Sequence, residues 1–240
     1  MQKIWQTEWF NIKFNEFTDL NPDKIADSEF YKKFYELFFK KYQSYDDIDD
    51  NWKIQKKNVA LDIYSNIKKN ESYSILSIGC GIGYIEKCIK DISDKNKDNL
   101  KLTALDPNQS SKCWIKDFLH FKAGYFPESV KKMYFDLVFF SNIDYAMNDD
   151  DYILFLKSIY EFKVPRLILA YLSKVKNNWS TFEHLKEIIK PLYHKLKPHQ
   201  FWGYLRSIDE HIDLLNKAGF SQFEIGKHQQ SNQNYWISAT

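Results

Sequence analysis

Apolar residues follow two alternating patterns along the chain from about residue 71 onward. Short, nearly continuous apolar runs predict buried strands, and apolar residues at three- and four-residue steps between them predict helices. This alternation indicates an α/β fold with a mostly parallel sheet and helices on both faces. The predicted strands are 75–78, 100–105, 119–123, 135–140, 166–171, 220–225 and 234–238, and the helices after the first are 109–118, 149–162, 179–193 and 208–217.

The N-terminal seventy residues have a different pattern. Aromatic residues recur at helical spacing over residues 28–41, which predicts an amphipathic helix capped by Asp27 or Ser28. A second helix is expected over residues 52–67. The two predicted units are therefore residues 1–70, a helical extension, and residues 71–240, the α/β core.

Three glycines at alternate positions follow the first predicted strand of the core. Gly79, Gly81 and Gly83 stand where this strand passes into a helix, and glycine is needed where the backbone takes a positive φ or lies close to a ligand. The free N–H groups at the start of the helix favour an anionic group in the turn. A dinucleotide fingerprint requires its next glycine where Tyr84 stands, so NAD is disfavoured.

The alternate glycines resemble the first motif of the class I S-adenosylmethionine-dependent methyltransferases, in which this loop holds the methionine end of the cofactor. The resemblance covers about residues 74–238 and implies a Rossmann-like, seven-stranded sheet in the order 3-2-1-4-5-7-6. One departure concerns Ser77, because the family usually has an acidic residue there that helps hold the cofactor's ammonium group. Ser77 can still form a hydrogen bond, but it lacks the charge. The loop residues implied as cofactor contacts are Ser77, Gly79, Cys80, Gly81 and Gly83.

An acidic residue stands at the end of the second predicted strand. Asp106 lies 23 residues beyond Gly83, and the ends of neighbouring parallel strands meet at one edge of a sheet. A carboxylate there can accept hydrogen bonds from both hydroxyls of a ribose. Asp-Pro-Asn is also turn chemistry, so a helix-capping role is the alternative. The resemblance adds Pro107, Ser111 and, beside the adenine, Tyr125 or Phe126.

The strand at residues 135–140 is almost entirely apolar, and polar residues follow it. Because ligands bind beyond the carboxyl ends of such strands, Ser141 and Asn142 are expected at the cofactor. The sequence after this strand contains neither Asn/Asp-Pro-Pro-Tyr/Phe nor Pro-Cys, the motifs of enzymes that methylate nucleic-acid bases. A nucleic-acid acceptor is therefore disfavoured.

Two narrower resemblances point to a small polar acceptor. Asp47, Asn142 and Trp179 are placed as in histamine-type small-amine N-methyltransferases. The sequence around Trp202 and Arg206 is similar to bacterial enzymes that methylate sugars and other small metabolites. In this family a helical N-terminal segment commonly covers the cofactor and shapes the acceptor pocket, as a lid. The implied acceptor-site residues are Tyr42, Asp47, Tyr145, Trp179, Trp202 and Arg206.

A general base is needed only if the acceptor carries a proton at neutral pH. Asp144 and His199 are the residues that we assign to this role, and the other candidates are His120, His184 and His194. A lone histidine is more often structural or exposed, so the residue type alone does not decide among them.

Composition sets limits without naming a partner. The 34 basic and 32 acidic residues give a net charge of +2, with no Lys/Arg block typical of a nucleic-acid arm. Three cysteines lack metal-ligand spacing, so we expect free thiols and no metal. No apolar stretch is long enough to span a membrane, and a soluble cytoplasmic protein is expected. Trp5, Trp9 and Phe10 serve either a homodimer interface or the cover of the core.

The sequence thus predicts an S-adenosylmethionine-dependent methyltransferase that acts on an oxygen or nitrogen of a small amine or sugar-like metabolite and releases S-adenosylhomocysteine. The alternative is a non-catalytic protein that binds either compound on the same fold, which the missing acid at Ser77 leaves open. A nucleotide-dependent oxidoreductase or dehydratase is a third hypothesis, which Tyr84 disfavours.

Overall fold

A computed structural model describes residues 1–67, 72–109, 112–115, 119–173, 199–228 and 234–240. Its strands are β1 (Gln2–Gln6), β2 (Glu8–Trp9), β3 (Ile12–Lys13), β4 (Tyr73–Ile78), β5 (Leu100–Asp106), β6 (His120–Ala123), β7 (Leu137–Ser141), β8 (Leu167–Ser173), β9 (Gln200–Leu205), β10 (Phe223–Lys227) and β11 (Asn234–Ala239). Its α-helices are α1 (Ser28–Lys41), α2 (Asp50–Ser65), α3 (Tyr84–Asn96), α4 (Lys112–Ile115), α5 (Asp149–Glu161) and α6 (Ile208–Ala218).

Seven strands form the central sheet in the order β10-β11-β8-β7-β4-β5-β6. When only the seven strands of this sheet are numbered, from β4 as strand 1 to β11 as strand 7, their order from the β6 edge is 3-2-1-4-5-7-6. The expected topology is therefore confirmed. Ile75 of β4 pairs in parallel with Leu102 of β5 on one side and with Leu137 of β7 on the other. β11 runs antiparallel to both of its neighbours. The carboxyl ends of β4, β5 and β7 therefore meet at one edge of the sheet.

Helices cover both faces of this sheet. Leu137 and Phe139 of β7 belong to a buried cluster that also contains residues of α2 and α3. Val138 and Phe140 point to the other face, into a cluster with α5 and α6. Because alternate residues of a strand face opposite sides, a strand covered on both faces is apolar throughout. This is why β7 is a nearly uninterrupted apolar run in the sequence.

Local capping residues fix the ends of two predicted helices. The Asp27 carboxylate accepts a hydrogen bond from the Phe30 N–H at 3.0 Å, so Asp27 is the cap of α1. In α6, Ser207 and Glu210 form a reciprocal capping box. This helix ends at Gly219, whose φ of 113° is in the left-handed region, as expected at a helix end. The predicted helix at 179–193 lies outside the described residues, and within 109–118 only α4 is described as helical.

The N-terminal segment contains strands as well as the two predicted helices. β1 pairs antiparallel with β9, a strand that the sequence pattern did not predict. Trp202 of β9 stacks on Phe14 at a ring-centroid distance of 5.2 Å, and Trp9 stacks on Phe34 at 4.8 Å. The segment is therefore joined to the core by aromatic packing and by a two-stranded sheet. Trp9 and Phe10 lie against this packing and cover the core.

Candidate functional site

A cavity of about 800 Å³ opens at the carboxyl ends of β4, β5 and β7. The glycine loop, Asp106 and the segment after β7 form its floor, and residues of β1, α1 and β9 close it from above. Its size is typical of a small-molecule site. The predicted site residues that line it are Ser77, Gly79, Cys80, Gly81, Asp106, Pro107, Tyr125, Ser141, Asn142, Tyr145 and Trp202.

The glycine loop takes a backbone conformation that a side chain would disturb. Gly79 and Gly81 have φ values of 71° and 55°. A Cβ at Gly81 would lie 2.9 Å from the Tyr35 hydroxyl, and one at Gly79 would collide with the side chain of Ile143. The glycines thus allow the loop to lie close to Tyr35 of α1 and to Ile143, where a side chain on the loop would not fit.

Asp106 is the acidic residue closest to this loop in the predicted site. Its Oδ2 accepts the Gly81 N–H and its Oδ1 accepts the Asn108 N–H, both at 2.8 Å. The side chain is buried, and burial raises the pKa of Asp106 to about 6. Each carboxylate oxygen has more than one acceptor position. The residue therefore fixes the loop and can still accept hydrogen bonds from a ligand.

A second buried carboxylate lies beside Ser77. Glu86, in the first turn of α3, accepts a hydrogen bond from the Ser77 hydroxyl through Oε1. Its Oε2 is buried and has no hydrogen-bond partner among the described residues. Lys56 of α2 lines the same cavity and is also buried. Burial raises the pKa of Glu86 to about 7 and lowers the pKa of Lys56 to about 8.

Glu86 should make the stability of the protein fall as pH rises. Its pKa in the folded state is above the ordinary value of 4.5, so its stabilising contribution is complete below about pH 4.5 and is lost as pH rises through about 7. The free energy of unfolding of the unaltered protein should therefore fall between pH 5 and pH 8. In the Glu86→Gln variant we expect this fall to be smaller by about 2 kcal/mol. Urea unfolding at the two pH values checks this, and an equal loss in both proteins would contradict it.

Tyrosine hydroxyls converge at the upper side of the cavity. The hydroxyl oxygens of Tyr31 and Tyr145 are 3.5 Å apart, and the Tyr145 ring stacks on Trp202 at a centroid distance of 5.8 Å. Burial raises the pKa of Tyr145 to about 12 and that of Tyr31 and Tyr35 well above the ordinary value. These hydroxyls therefore stay protonated at neutral pH and act as hydrogen-bond partners.

Asp144 and Arg206 do not line the cavity. The guanidinium of Arg206 donates to the backbone oxygens of Asp144 at 2.8 Å and Met147 at 2.7 Å, and to the Asp149 carboxylate at 2.9 Å. The Asp144 carboxylate faces His211 at 3.8 Å. Burial raises the pKa of Asp144 to about 6. Arg206, predicted as an acceptor clamp, and Asp144, predicted as a base, thus belong in the structure to a buried polar network outside the cavity lining.

The other predicted residues outside the cavity have local structural contacts. The Tyr42 hydroxyl donates to the Phe10 carbonyl at 2.7 Å. Asp47 accepts the Gln43 and Ser44 N–H groups at 2.7 and 3.0 Å, which closes the turn between α1 and α2. Gly83 is the N-cap of α3. His199 precedes β9 and does not line the cavity, and Ser111 and Trp179 lie outside the described residues.

Several cavity residues were missed from the sequence. Tyr31 and Tyr35 belong to the predicted helix α1 and were not singled out as site residues. Their four-residue separation places them on one helix face, which was an available signal. Lys56 and Glu86 had no such signal, because single charged residues on amphipathic helices usually face solvent.

Two features concern function classes more broadly. Among the helices that the structure describes, none has the length and apolar character needed to cross a membrane. Within the same residues, no group of three or more His, Cys, Asp and Glu side chains is suitably placed to hold a metal ion.

Comparisons with known proteins identify the fold. No family model matches the chain, and no curated protein matches it in sequence. Among solved structures, mitomycin 7-O-methyltransferase matches with a TM-score of 0.57 at 15% identity, over 78% of this chain and 54% of that one. Human N-acetylserotonin methyltransferase in complex with S-adenosylmethionine matches with a TM-score of 0.59 at 16% identity, over 89% and 56%.

A third similar structure is closer in length. Magnesium protoporphyrin IX methyltransferase from Synechocystis PCC 6803, with bound S-adenosylhomocysteine, has a TM-score of 0.61 at 11% identity, over 88% of this chain and 95% of that one. The chain spans little more than half the length of the first two proteins. At these identities the similarity establishes architecture. The chain therefore has the Rossmann-like fold of S-adenosylmethionine-dependent methyltransferases.

Proposed function

We propose that this protein is an S-adenosylmethionine-dependent methyltransferase that acts on an oxygen or nitrogen of a small polar metabolite, such as an amine or a sugar-like acceptor. One observation carries the proposal: the Asp106 carboxylate lies against the Gly81 N–H in a cavity at the carboxyl ends of the central strands. A ribose would lie in the cavity beside this carboxylate, and the adjoining charged chain would run along the loop. The fold shared with proteins crystallised with this cofactor or its product supports the same cofactor.

The residues of the floor match the parts of the proposed cofactor. Asp106 would accept the ribose hydroxyls, and the loop from Gly79 to Gly81 would run along the methionine end. The Ser141 hydroxyl is buried on the cavity wall without a hydrogen-bond partner among the described residues, so it is available to a ligand. Tyr125, which is 60% exposed, stands at the rim, where an adenine ring would lie. When bound, the cofactor supplies a methyl group already activated by its sulfonium.

The residues above the floor would orient the acceptor. Tyr31 and Tyr145 offer hydroxyl groups, and Trp202 offers a flat apolar wall. Residues of α1 and β9 close the space from above, which would limit the size of the acceptor and exclude water around it. No histidine among the described residues lines the cavity. The proposed role of these residues is alignment of the reacting atoms. An amine that arrives in its neutral form needs no base, whereas a hydroxyl acceptor would have to give up its proton as the methyl group is transferred.

Calorimetric titration tests the cofactor assignment. We expect the purified protein to bind S-adenosylmethionine and S-adenosylhomocysteine with micromolar dissociation constants, and NAD, as the control, not to bind. Transfer of labelled methyl groups to amines and sugars then separates an enzyme from a non-catalytic binding protein. Absence of binding of both compounds would overturn the proposed function and leave only the fold.

A further inference from the structure

The structure carries a more specific assignment, which rests on the proposed function. We propose that Glu86 and Lys56 recognise the amino-acid end of the cofactor: the Glu86 carboxylate accepts hydrogen bonds from the α-ammonium group, and the Lys56 ammonium binds the α-carboxylate. Glu86 of α3 and Lys56 of α2 would thus bind the two opposite charges of the amino-acid zwitterion.

The first argument concerns Glu86. The residue is 2% exposed, and only one of its carboxylate oxygens has a hydrogen bond, from Ser77. Its Oε2 has no partner within the described part of the chain. A buried carboxylate oxygen without a donor costs free energy. Because Glu86 lines the cavity, a cationic ligand group can reach it and remove this cost.

The second argument concerns Lys56. Its side chain is 8% exposed on the same cavity, and its Nζ lies 5.7 Å from the centre of the Trp52 ring. Burial disfavours its charged form, while the charge of Glu86 opposes that effect. An anion in the cavity would stabilise the ammonium form further. A ligand that carries both an ammonium and a carboxylate would therefore place a charge of opposite sign beside each of these two buried residues.

The third argument concerns Ser77. Ser77 is the penultimate residue of β4, just before the glycine loop, and it is 1% exposed. Its hydroxyl donates to Glu86, nine positions further along the chain, so the hydroxyl orients the carboxylate that comes from α3. A carboxylate is thus present next to the loop, although the strand itself provides none. Ser77 acts as a positioning residue for Glu86.

Ligands that lack one charge test each assignment by calorimetry. Glu86→Gln should weaken binding of S-adenosylhomocysteine at least tenfold. It should change binding of 5′-methylthioadenosine, which lacks the amino-acid end, less than twofold. Lys56→Met should weaken binding of S-adenosylmethionine at least fivefold, with little effect on decarboxylated S-adenosylmethionine. The matched controls are Glu161→Gln and Lys57→Met, since both residues are exposed on described helices and do not line the cavity; neither should alter affinity.

A second variant keeps the test decisive. The double variant Ser77→Asp/Glu86→Gln has a carboxylate on β4 in place of the one on α3. This double variant should recover most of the affinity for S-adenosylhomocysteine that Glu86→Gln loses. Unchanged binding of S-adenosylhomocysteine by Glu86→Gln would overturn the inference. Equal losses for S-adenosylhomocysteine and 5′-methylthioadenosine would also overturn it, because the lost affinity would then not depend on the amino-acid end of the ligand. If the unaltered protein binds neither compound, the proposed function itself has failed.

Discussion

Asp106→Asn is expected to weaken binding of S-adenosylhomocysteine at least about tenfold, because a hydrogen bond to a charged group contributes about 1.5–3 kcal/mol and each 1.4 kcal/mol is a factor of ten. Asparagine keeps the shape of the side chain and one acceptor oxygen. It loses the charge and one of the two oxygens that accept the Gly81 and Asn108 N–H groups, and with it acceptor positions for the ribose hydroxyls. Burial disfavours the charged form and raises the pKa of Asp106 to about 6, so removal of the charge offsets part of the cost of the lost backbone hydrogen bond.

The ligand series separates this effect from that of Glu86. 5′-Methylthioadenosine contains the ribose, so Asp106→Asn should weaken its binding as strongly as that of S-adenosylhomocysteine. Asp136→Asn is the control, because Asp136 also accepts a backbone N–H, from Ser74 at 2.7 Å, at the opposite end of the strands. An Asp106→Asn protein with unchanged affinity for both ligands would exclude the ribose assignment.

The parts of the fold that follow from short-range patterns were predictable. The helix at residues 28–41 was identified with its observed bounds, because its apolar spacing and its capping residue are both local signals. The turn from β4 into α3 was identified from Gly79, Gly81 and Gly83. The order of the sheet, in contrast, came from the resemblance, since alternating strands and helices are compatible with many strand orders.

Residues that act through tertiary contacts were the ones misplaced or missed. Asp144 follows β7 at the edge where ligands bind, but its side chain turns down toward His211. Glu86, in contrast, was not predicted as a site residue, because acidic residues are common in the first turn of a helix. In the folded protein it is hydrogen-bonded to Ser77 and lines the cavity. The direction of a side chain at a strand end depends on its neighbours in space, which no local pattern encodes.

The N-terminal segment shows the same limit. β9 was not predicted, because its pairing partner β1 is about 200 residues away and the pattern around Trp202 does not alternate clearly. Yet this pairing brings Trp202 above the floor of the cavity, beside Tyr145. The acceptor side of the site is therefore built by contacts between distant parts of the chain, while the cofactor side is built by one strand-turn-helix unit and its neighbour.

Arg206→Met is expected to lower the free energy of unfolding by about 3–5 kcal/mol, because it breaks a buried charged network. The variant leaves the carbonyl oxygens of Asp144 and Met147 without their guanidinium donor. Urea unfolding at pH 8 measures the loss. Arg166→Met is the control, since the described contact of Arg166 is a hydrogen bond to Asn66 at 2.9 Å on a half-buried side chain, and it should cost no more than about 1.5 kcal/mol.

The pH dependence of this loss identifies its source. The Arg206 charge lowers the pKa of Asp144, although burial keeps that pKa raised at about 6. At pH 8 Asp144 is ionised and interacts with the guanidinium, whereas at pH 5 it is protonated in the folded state and this attraction is absent. The destabilisation by Arg206→Met should therefore be smaller at pH 5 than at pH 8. A loss that is the same at both values would show that packing and backbone hydrogen bonds account for all of it, and that the Asp144 charge contributes nothing to the network.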